Sequence, residues 1–124
     1  MNIDLRIEDA SVQQLVARFI AIGIDQHDAS RKYQTARYNH LFDQMTKIEN
    51  ELKSRENDQR RALLPLLEAD DIHLRLKAAI ALLAVAPEQA RKVLMSIRDY
   101  SLLPYSMDAT LILMSLDNGF YVPE

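Results

Sequence analysis

The chain contains no cysteine, no tryptophan and only two glycines, and these absences exclude several kinds of chemistry. Without cysteine there is no disulfide, no thiolate metal ligand and no thiol nucleophile. Gly23 and Gly119 stand far apart, so no glycine-rich loop can cradle a nucleotide phosphate. A Gly-x-Ser-x-Gly elbow and a His-Glu-x-x-His pair are also missing. We therefore expect no catalytic residues, and a protein that is not an enzyme.

Strong charge of one sign and long apolar runs are missing as well. Against 15 Lys and Arg side chains stand 18 Asp and Glu side chains, a net charge of −3, so no overall field draws the chain to nucleic acid or anionic lipid. The first residues lack a basic stretch followed by an apolar run, and no bilayer-length apolar segment follows. We expect a cytoplasmic protein, folded as a single domain over residues 1–124.

Apolar residues recur with the period of amphipathic helices, and no alternating strand pattern occurs. This predicts an all-α chain of about six helices. Their expected ranges are 11–25, 28–53, 57–69, 72–86, 87–98 and 106–118. Ser11 and Gln14 have capping-box spacing, and residues 70–71 should end the third helix and cap the fourth. Pro65 should kink the third helix, and Gly119 should end the last one.

The most informative feature that is present is an internal repeat. Residues 62–67 lie over 92–97, and residues 74–80 over 105–111, with offsets of 30 and 31 residues. That period is typical of two-helix solenoid units, each of which hides its apolar face only by stacking on the next. The repeat predicts a compact right-handed α-α superhelix, with the wholly apolar fourth helix at its buried centre. Its three hairpins are expected at about 11–53, 57–86 and 87–118.

Several segments together resemble a small bacterial family. They are residues 37–42, 47–55, 62–67, 74–79 and 86–90. Over about residues 11–119 the chain is similar to the HEAT-like family catalogued as domain of unknown function two-thousand-nineteen. The resemblance implies a HEAT or armadillo-type fold and no particular activity. It also implies that Asp71 and Arg75 belong to a structural ion pair between stacked units.

The first functional hypothesis is a non-enzymatic protein-binding module of adaptor or immunity type, without cofactor or metal. Solenoid units offer a shallow groove lined by their second helices. Helical order predicts that the groove is lined by Arg37, His40, His73, Lys77, Tyr105 and Asp108. Lys77 and Asp108 hold matching places in the repeat, so their opposite charges should face each other. A toxin to be neutralised and another subunit both stay open as the partner.

Two alternatives compete with this hypothesis. One is self-association through the apolar connection 99–105 and the tail 120–123, although packing against the last helix is the preferred expectation. The patch would consist of Leu102, Leu103, Tyr105 and Phe120. The other is nucleic-acid binding by residues 31–61, which hold eight basic and five acidic side chains, although a solvated surface is the commoner outcome.

Histidines are the remaining candidates for metal binding or proton transfer. His40 and Asp43 lie one helical turn apart and could share a divalent ion, but two ligands do not make a site. His73 follows the cap of the fourth predicted helix, where a surface or capping residue is expected. The sequence therefore predicts no metal site.

Overall fold

The computed structural model describes residues 6–124, so the first five residues, on which the targeting expectation partly rests, lie outside the described residues. All regular structure in residues 6–124 is helical, which confirms the predicted all-α class. The chain divides into two compact units, Met1–Ala62 and Leu63–Glu124, which are described separately below. No helix within the described part is both long enough and apolar enough to cross a bilayer.

The first unit is built on a helical hairpin. A single 3-10 turn, Ile7–Asp9, precedes α1, Val12–Arg31, which packs against α2, Thr35–Ser54. The expected capping box is confirmed: the Ser11 hydroxyl accepts from the Gln14 N–H, while the Ser11 N–H donates to Gln14 Oε1. Each helix buries one stripe. The buried residues are Leu15, Phe19, Gly23, Gln26 and Ala29 on α1, and Leu41, Met45, Ile48 and Leu52 on α2.

The predicted end of the first helix, at residue 25, is wrong, because the turn between α1 and α2 lies later in the chain. α1 continues to Arg31 because its buried stripe extends through Gln26 and Ala29, and the buried polar Gln26 interrupts the apolar pattern on which the prediction relied. Tyr33 then takes a left-handed conformation, with φ of 56°, which reverses the chain before Thr35. The second predicted helix accordingly begins at Thr35 and not at residue 28.

Arg55 anchors the turn that precedes α1. Its Nη2 donates to the carbonyl oxygens of Ile7 at 3.2 Å and Ala10 at 2.7 Å, and its Nε donates to the Glu51 carboxylate at 2.6 Å. Arg55 follows the last residue of α2. One guanidinium therefore joins the two ends of the first unit.

The segment around Pro65 forms a ten-residue 3-10 helix, Gln59–Glu68, where a kinked α-helix was predicted. In an α-helix the proline ring would collide with the carbonyl four residues earlier, whereas a 3-10 helix bonds with a three-residue period. The two buried leucines, Leu63 and Leu66, are also three residues apart, so this period places both on one face.

The second unit contains α3, Ile72–Leu82, α4, Pro87–Tyr100, and α5, Tyr105–Asp117. The Asp71 carboxylate accepts from the Leu74 N–H at 2.9 Å and so caps α3 as predicted. α3 packs against both α4 and α5, which themselves form a hairpin. Seven of the 11 residues of α3 are buried, consistent with its predicted apolar character on every side.

Burial reveals the repeat more clearly than the sequence does. The buried pairs 31 residues apart are Leu63 and Leu94, Leu66 and Ile97, Ala78 and Ala109, and Leu82 and Leu113. A single offset of 31 therefore relates both segments, and the offset of 30 read from residues 62–67 is wrong by one position. The earlier copy of the first segment is a 3-10 helix, whereas the later copy lies in α4.

Candidate protein-binding surface

Four of the six predicted groove residues come together in the second unit. His73 and Lys77 lie one turn apart on α3, facing Tyr105 and Asp108 of α5. The His73 and Tyr105 rings meet edge to face, with centroids 5.8 Å apart and planes at 72°. Burial raises the pKa of the Asp108 carboxyl, and the positive charge of Lys77 opposes that shift. The charge of Lys77 thus acts on Asp108, as expected from their matching places in the repeat.

His73 itself is not available to a partner. Only 4% of its surface is exposed, so the expected surface position is wrong. The His73 ring is in edge contact with Tyr105, and the neighbouring Leu74 is also buried. Both side chains are covered because α3 is packed on more than one side. In this part of the predicted groove, Lys77 and Tyr105 are half-buried and Asp108 is exposed.

The other two predicted groove residues lie on α2, in the first unit. Arg37 is already engaged, since its Nη1 donates to Asp28 at 3.0 Å and to Gln34 at 2.7 Å. His40 is exposed. Because these residues belong to a different unit from His73 and Tyr105, a continuous six-residue groove stays a prediction.

The ion pair implied for Asp71 and Arg75 is absent from the described structure. The Asp71 carboxylate caps α3. Arg75 forms no ion pair within residues 6–124, and its buried Nε meets no hydrogen-bond acceptor there. The expected pair between Asp71 and Arg75 is therefore wrong, and the Asp71 carboxylate instead caps the start of its own helix.

The side of α5 opposite its buried residues is apolar and exposed. Met107, Leu111 and Met114 recur at i, i+4 and i+7 and therefore share one face. Their exposed fractions are 49%, 54% and 57%. Ala109 and Leu113, on the other side, are buried. We call the surface formed by Met107, Leu111 and Met114 the α5 outer face.

The repeat shows what is unusual about the α5 outer face. The residues 31 positions earlier are Leu76, Ile80 and Leu83. Leu76 and Leu83 are buried, with 2% and 3% exposed, and Ile80 is half-buried. The same apolar positions are thus covered in the earlier copy and uncovered in the later one. The sequence alignment already paired Leu76 with Met107 and Ile80 with Leu111, but it could not show which copy is covered.

Further apolar side chains are exposed at both ends of α5. Leu102 and Leu103 precede the helix and Phe120 follows it, and all three are largely exposed. The preferred expectation that they pack against the last helix is therefore wrong, because the chain leaves their side chains turned to solvent. Tyr105 alone of that predicted patch is half-buried.

At least two of the four acidic side chains of residues 99–124 form ion pairs with arginines of α4. Asp117 pairs with Arg91 at 3.1 Å, and Asp99 pairs with Arg98 at 2.8 Å. The Arg98 guanidinium holds the pKa of Asp99 below its usual value. The excess of acidic residues in 99–124 therefore produces a much weaker field than the sequence suggests.

The basic stretch 31–61 is likewise engaged with nearby acids. At least five of its eight basic side chains take part in ion pairs. They are Arg31, Lys32 and Arg37 around Asp28, Arg55 with Glu51, and Arg60 with Asp58. Hydrogen bonds from Arg37 and then Lys32 lower the pKa of Asp28 to about 2. This pairing disfavours a phosphate-binding role.

The metal-ligating side chains of residues 6–124 are not clustered in threes. The cleft at the α1–α2 turn, about 220 Å³, is lined by Tyr33, Tyr38 and small polar residues. These side chains include no pair of nucleophile and base.

Comparison with known proteins decides the family. Residues 13–117 match the family described as Domain of unknown function (DUF2019). The chain belongs to this family. A crystal structure of the protein RPA1889 from Rhodopseudomonas palustris CGA009 is similar, with 40% sequence identity and a TM-score of 0.93. The match covers 98% of this chain and 100% of that one. No curated protein matches the chain.

Proposed function

We propose that this member of DUF2019 is a non-enzymatic protein-binding module, of adaptor or immunity type, which binds its partner through the α5 outer face. The observation that supports the proposal is the contrast between the two copies of the repeat. Leu76 on α3 and Leu83 directly after it are buried, whereas their counterparts Met107 and Met114 are about half exposed on α5. A further helix packed there would cover α5 as α3 is covered.

The amount of exposed apolar surface supports binding. Nine large apolar side chains of residues 100–122 are exposed, and single exposed leucines would be ordinary. They are Tyr100, Leu102, Leu103, Met107, Leu111, Met114, Phe120, Tyr121 and Val122. Tyr121 and Val122 line a separate cleft beside Pro87 and Arg91, so the side chains that can extend the α5 outer face are those at its ends. Apolar patches of about 300–600 Å² on a monomer are often functional.

We propose in addition that the helices form a right-handed HEAT-like superhelix, as the repeat suggests. The common 31-residue offset of the buried positions supports this proposal. In such arrays the terminal repeat normally presents a polar outer face to water. The α5 outer face lacks such polar character, as a docking surface requires.

The proposal is tested by changing the α5 outer face and measuring capture of partners from cells that make the protein. Leu111→Lys places a charge in the centre of the face, and Ile24→Lys places the same charge at an equally exposed apolar position of α1. We expect Leu111→Lys to lose at least one partner, by about tenfold or more, that the wild-type chain and Ile24→Lys both retain. Identical partner sets for all three proteins would refute this binding face.

The predicted groove has its own variant. Lys77→Glu combined with Tyr105→Ala changes two accessible members of that groove. If this double variant loses the partner while Leu111→Lys keeps it, the partner binds the predicted groove and not the α5 outer face.

A further inference from the structure

We infer that the partner of the α5 outer face is a second copy of this chain, so that two α5 helices pack antiparallel about a two-fold axis beside Leu111. This inference rests on the proposed function, because it names the occupant of the same face. It starts from the position of Leu111 between Met107 and Met114, four residues after the first and three before the second. An antiparallel copy would therefore bring the methionines of one helix toward those of the other.

The apolar residues beyond the helix ends have matching symmetry. Leu102 lies nine residues before Leu111, and Phe120 lies nine residues after it. In an antiparallel pair centred on Leu111, the N-terminal end of one α5 lies beside the C-terminal end of the other. The exposed Leu102 of one copy is then near the exposed Phe120 of the other copy. A face that is complementary to itself in this way is what a two-fold interface requires.

The available area is sufficient for a stable dimer. The exposed apolar side chains on the α5 outer face and just beyond its ends are Met107, Leu111, Met114, Leu102, Leu103 and Phe120, and at their observed exposure they amount to on the order of 700 Å². A standard interface buries about 800 Å² from each partner. The apolar residues of this region alone therefore come close to the area that one partner contributes.

The charges around the face permit the approach of an identical copy. Two acidic faces would repel each other, but Asp99 and Asp117 are each paired with an arginine of α4. Asp108 is the remaining carboxylate of α5, and the charge of Lys77 acts upon it. A partner with a strongly basic surface would find little unpaired negative charge here, which favours a nearly neutral apolar partner such as the second copy.

Sedimentation of the full chain over a concentration series tests the inference. We expect a reversible dimer, with a dissociation constant raised at least tenfold by Leu111→Lys and unchanged by Ile24→Lys. A wild-type chain that stays monomeric at all concentrations overturns the inference, and so does a dimer that Leu111→Lys leaves unchanged.

The absence of cysteine allows a second, geometric test. In Leu111→Cys the new thiol is the only one in the chain, and the two-fold axis places two such thiols opposite each other. Mild oxidation should give a disulfide-linked dimer, at least tenfold faster than for Ile24→Cys. Equal rates for both variants contradict the antiparallel α5 arrangement.

The two proposals fail in different ways. If the wild-type chain is monomeric but Leu111→Lys still loses a captured partner, the second copy is wrong and the binding face stands. If Leu111→Lys changes neither association nor capture, both proposals are wrong.

Discussion

Asp28 is the residue in the first unit with the most concentrated electrostatic environment. Arg37 reaches it at 3.0 Å, Lys32 at 3.1 Å and Arg31 at 3.5 Å. Arg37 comes from α2 and the other two follow Asp28 on the chain, so one carboxylate joins the two helices close to their turn. Its pKa is low, about 2, because these positively charged partners stabilise the ionised carboxylate.

Asp28→Asn should lower the Tm at pH 7 because the amide cannot keep three charged partners. The Asp28 pKa falls from 3.8 to about 2 on folding, so its stabilising effect is present above about pH 4 and is lost as the pH falls toward 2. The difference in Tm between wild type and variant should therefore shrink over that interval. Thermal unfolding followed by circular dichroism at pH 7, 4 and 2 measures it.

Asp43→Asn is the matched control for Asp28→Asn, since Asp43 is exposed on α2 and forms no ion pair with the described residues. Its Tm should follow that of the wild type at every pH. A pH-independent loss of Tm in Asp28→Asn would show that the substitution acts through something other than the charge of the carboxylate.

Gly119 illustrates conformational strain at a single residue. Its φ of 76° lies in the left-handed region, and a Cβ built there meets no atom within 4 Å. Gly119→Ala should therefore cost about 1 kcal/mol through backbone conformation alone. Gly119→Asn should cost less, because asparagine tolerates this conformation better. Urea unfolding of the two variants compares them, and equal losses would contradict the conformational explanation.

At the scale of the element, α5 has two apolar faces with different tasks. Leu113→Ala should reduce the free energy of unfolding by about 2–5 kcal/mol, because a buried side chain leaves a cavity. Leu111→Ala, two residues earlier and about half exposed, should change it by no more than about 0.5 kcal/mol in dilute protein. Urea unfolding at low protein concentration measures both. Similar losses would mean that the outer face is covered within the monomer.

α5 also shows where prediction from the sequence ends. Caps located helix starts closely, as at Ser11 and Asp71, whereas the end of α1 and the start of α2 were misplaced by six and seven residues. Yet an element with apolar residues on both faces has no polar side to mark the surface, so the α5 outer face could not be recognised. Leu102 and Phe120 were expected to pack against the last helix, but whether such residues pack or stay exposed depends on the path of the chain and not on their chemistry.

Two other elements departed from prediction for local reasons. Gln26 occupies a fully buried position of the α1 stripe, and a polar residue there hides the continuation of the helix. Pro65 was recognised as incompatible with a regular α-helix, but the sequence offered no means of choosing between a kink and the 3-10 helix observed.

At the scale of the whole molecule, charge pairing disfavours nucleic acid as a ligand. The net charge is −3, and most basic residues of 31–61 already have acidic partners. We expect no retention on immobilised duplex DNA at 150 mM salt, measured by affinity chromatography. A Glu51→Gln, Asp58→Asn variant, which releases Arg55 and Arg60 from their carboxylates, serves as the comparison. Salt-sensitive retention of the wild-type chain would restore nucleic acid as a candidate ligand.

The methionines of the α5 outer face have a chemical consequence. A thioether is oxidised to a sulfoxide by peroxide, and the product is polar. About half of each side chain of Met107 and Met114 is open to solvent, so oxidants can reach both sulfurs. Oxidation would place two polar groups in the middle of the apolar surface, and enzymatic reduction would restore it. If the α5 outer face binds as proposed, the cycle of oxidation and reduction would weaken and restore that binding according to the oxidant level around the chain.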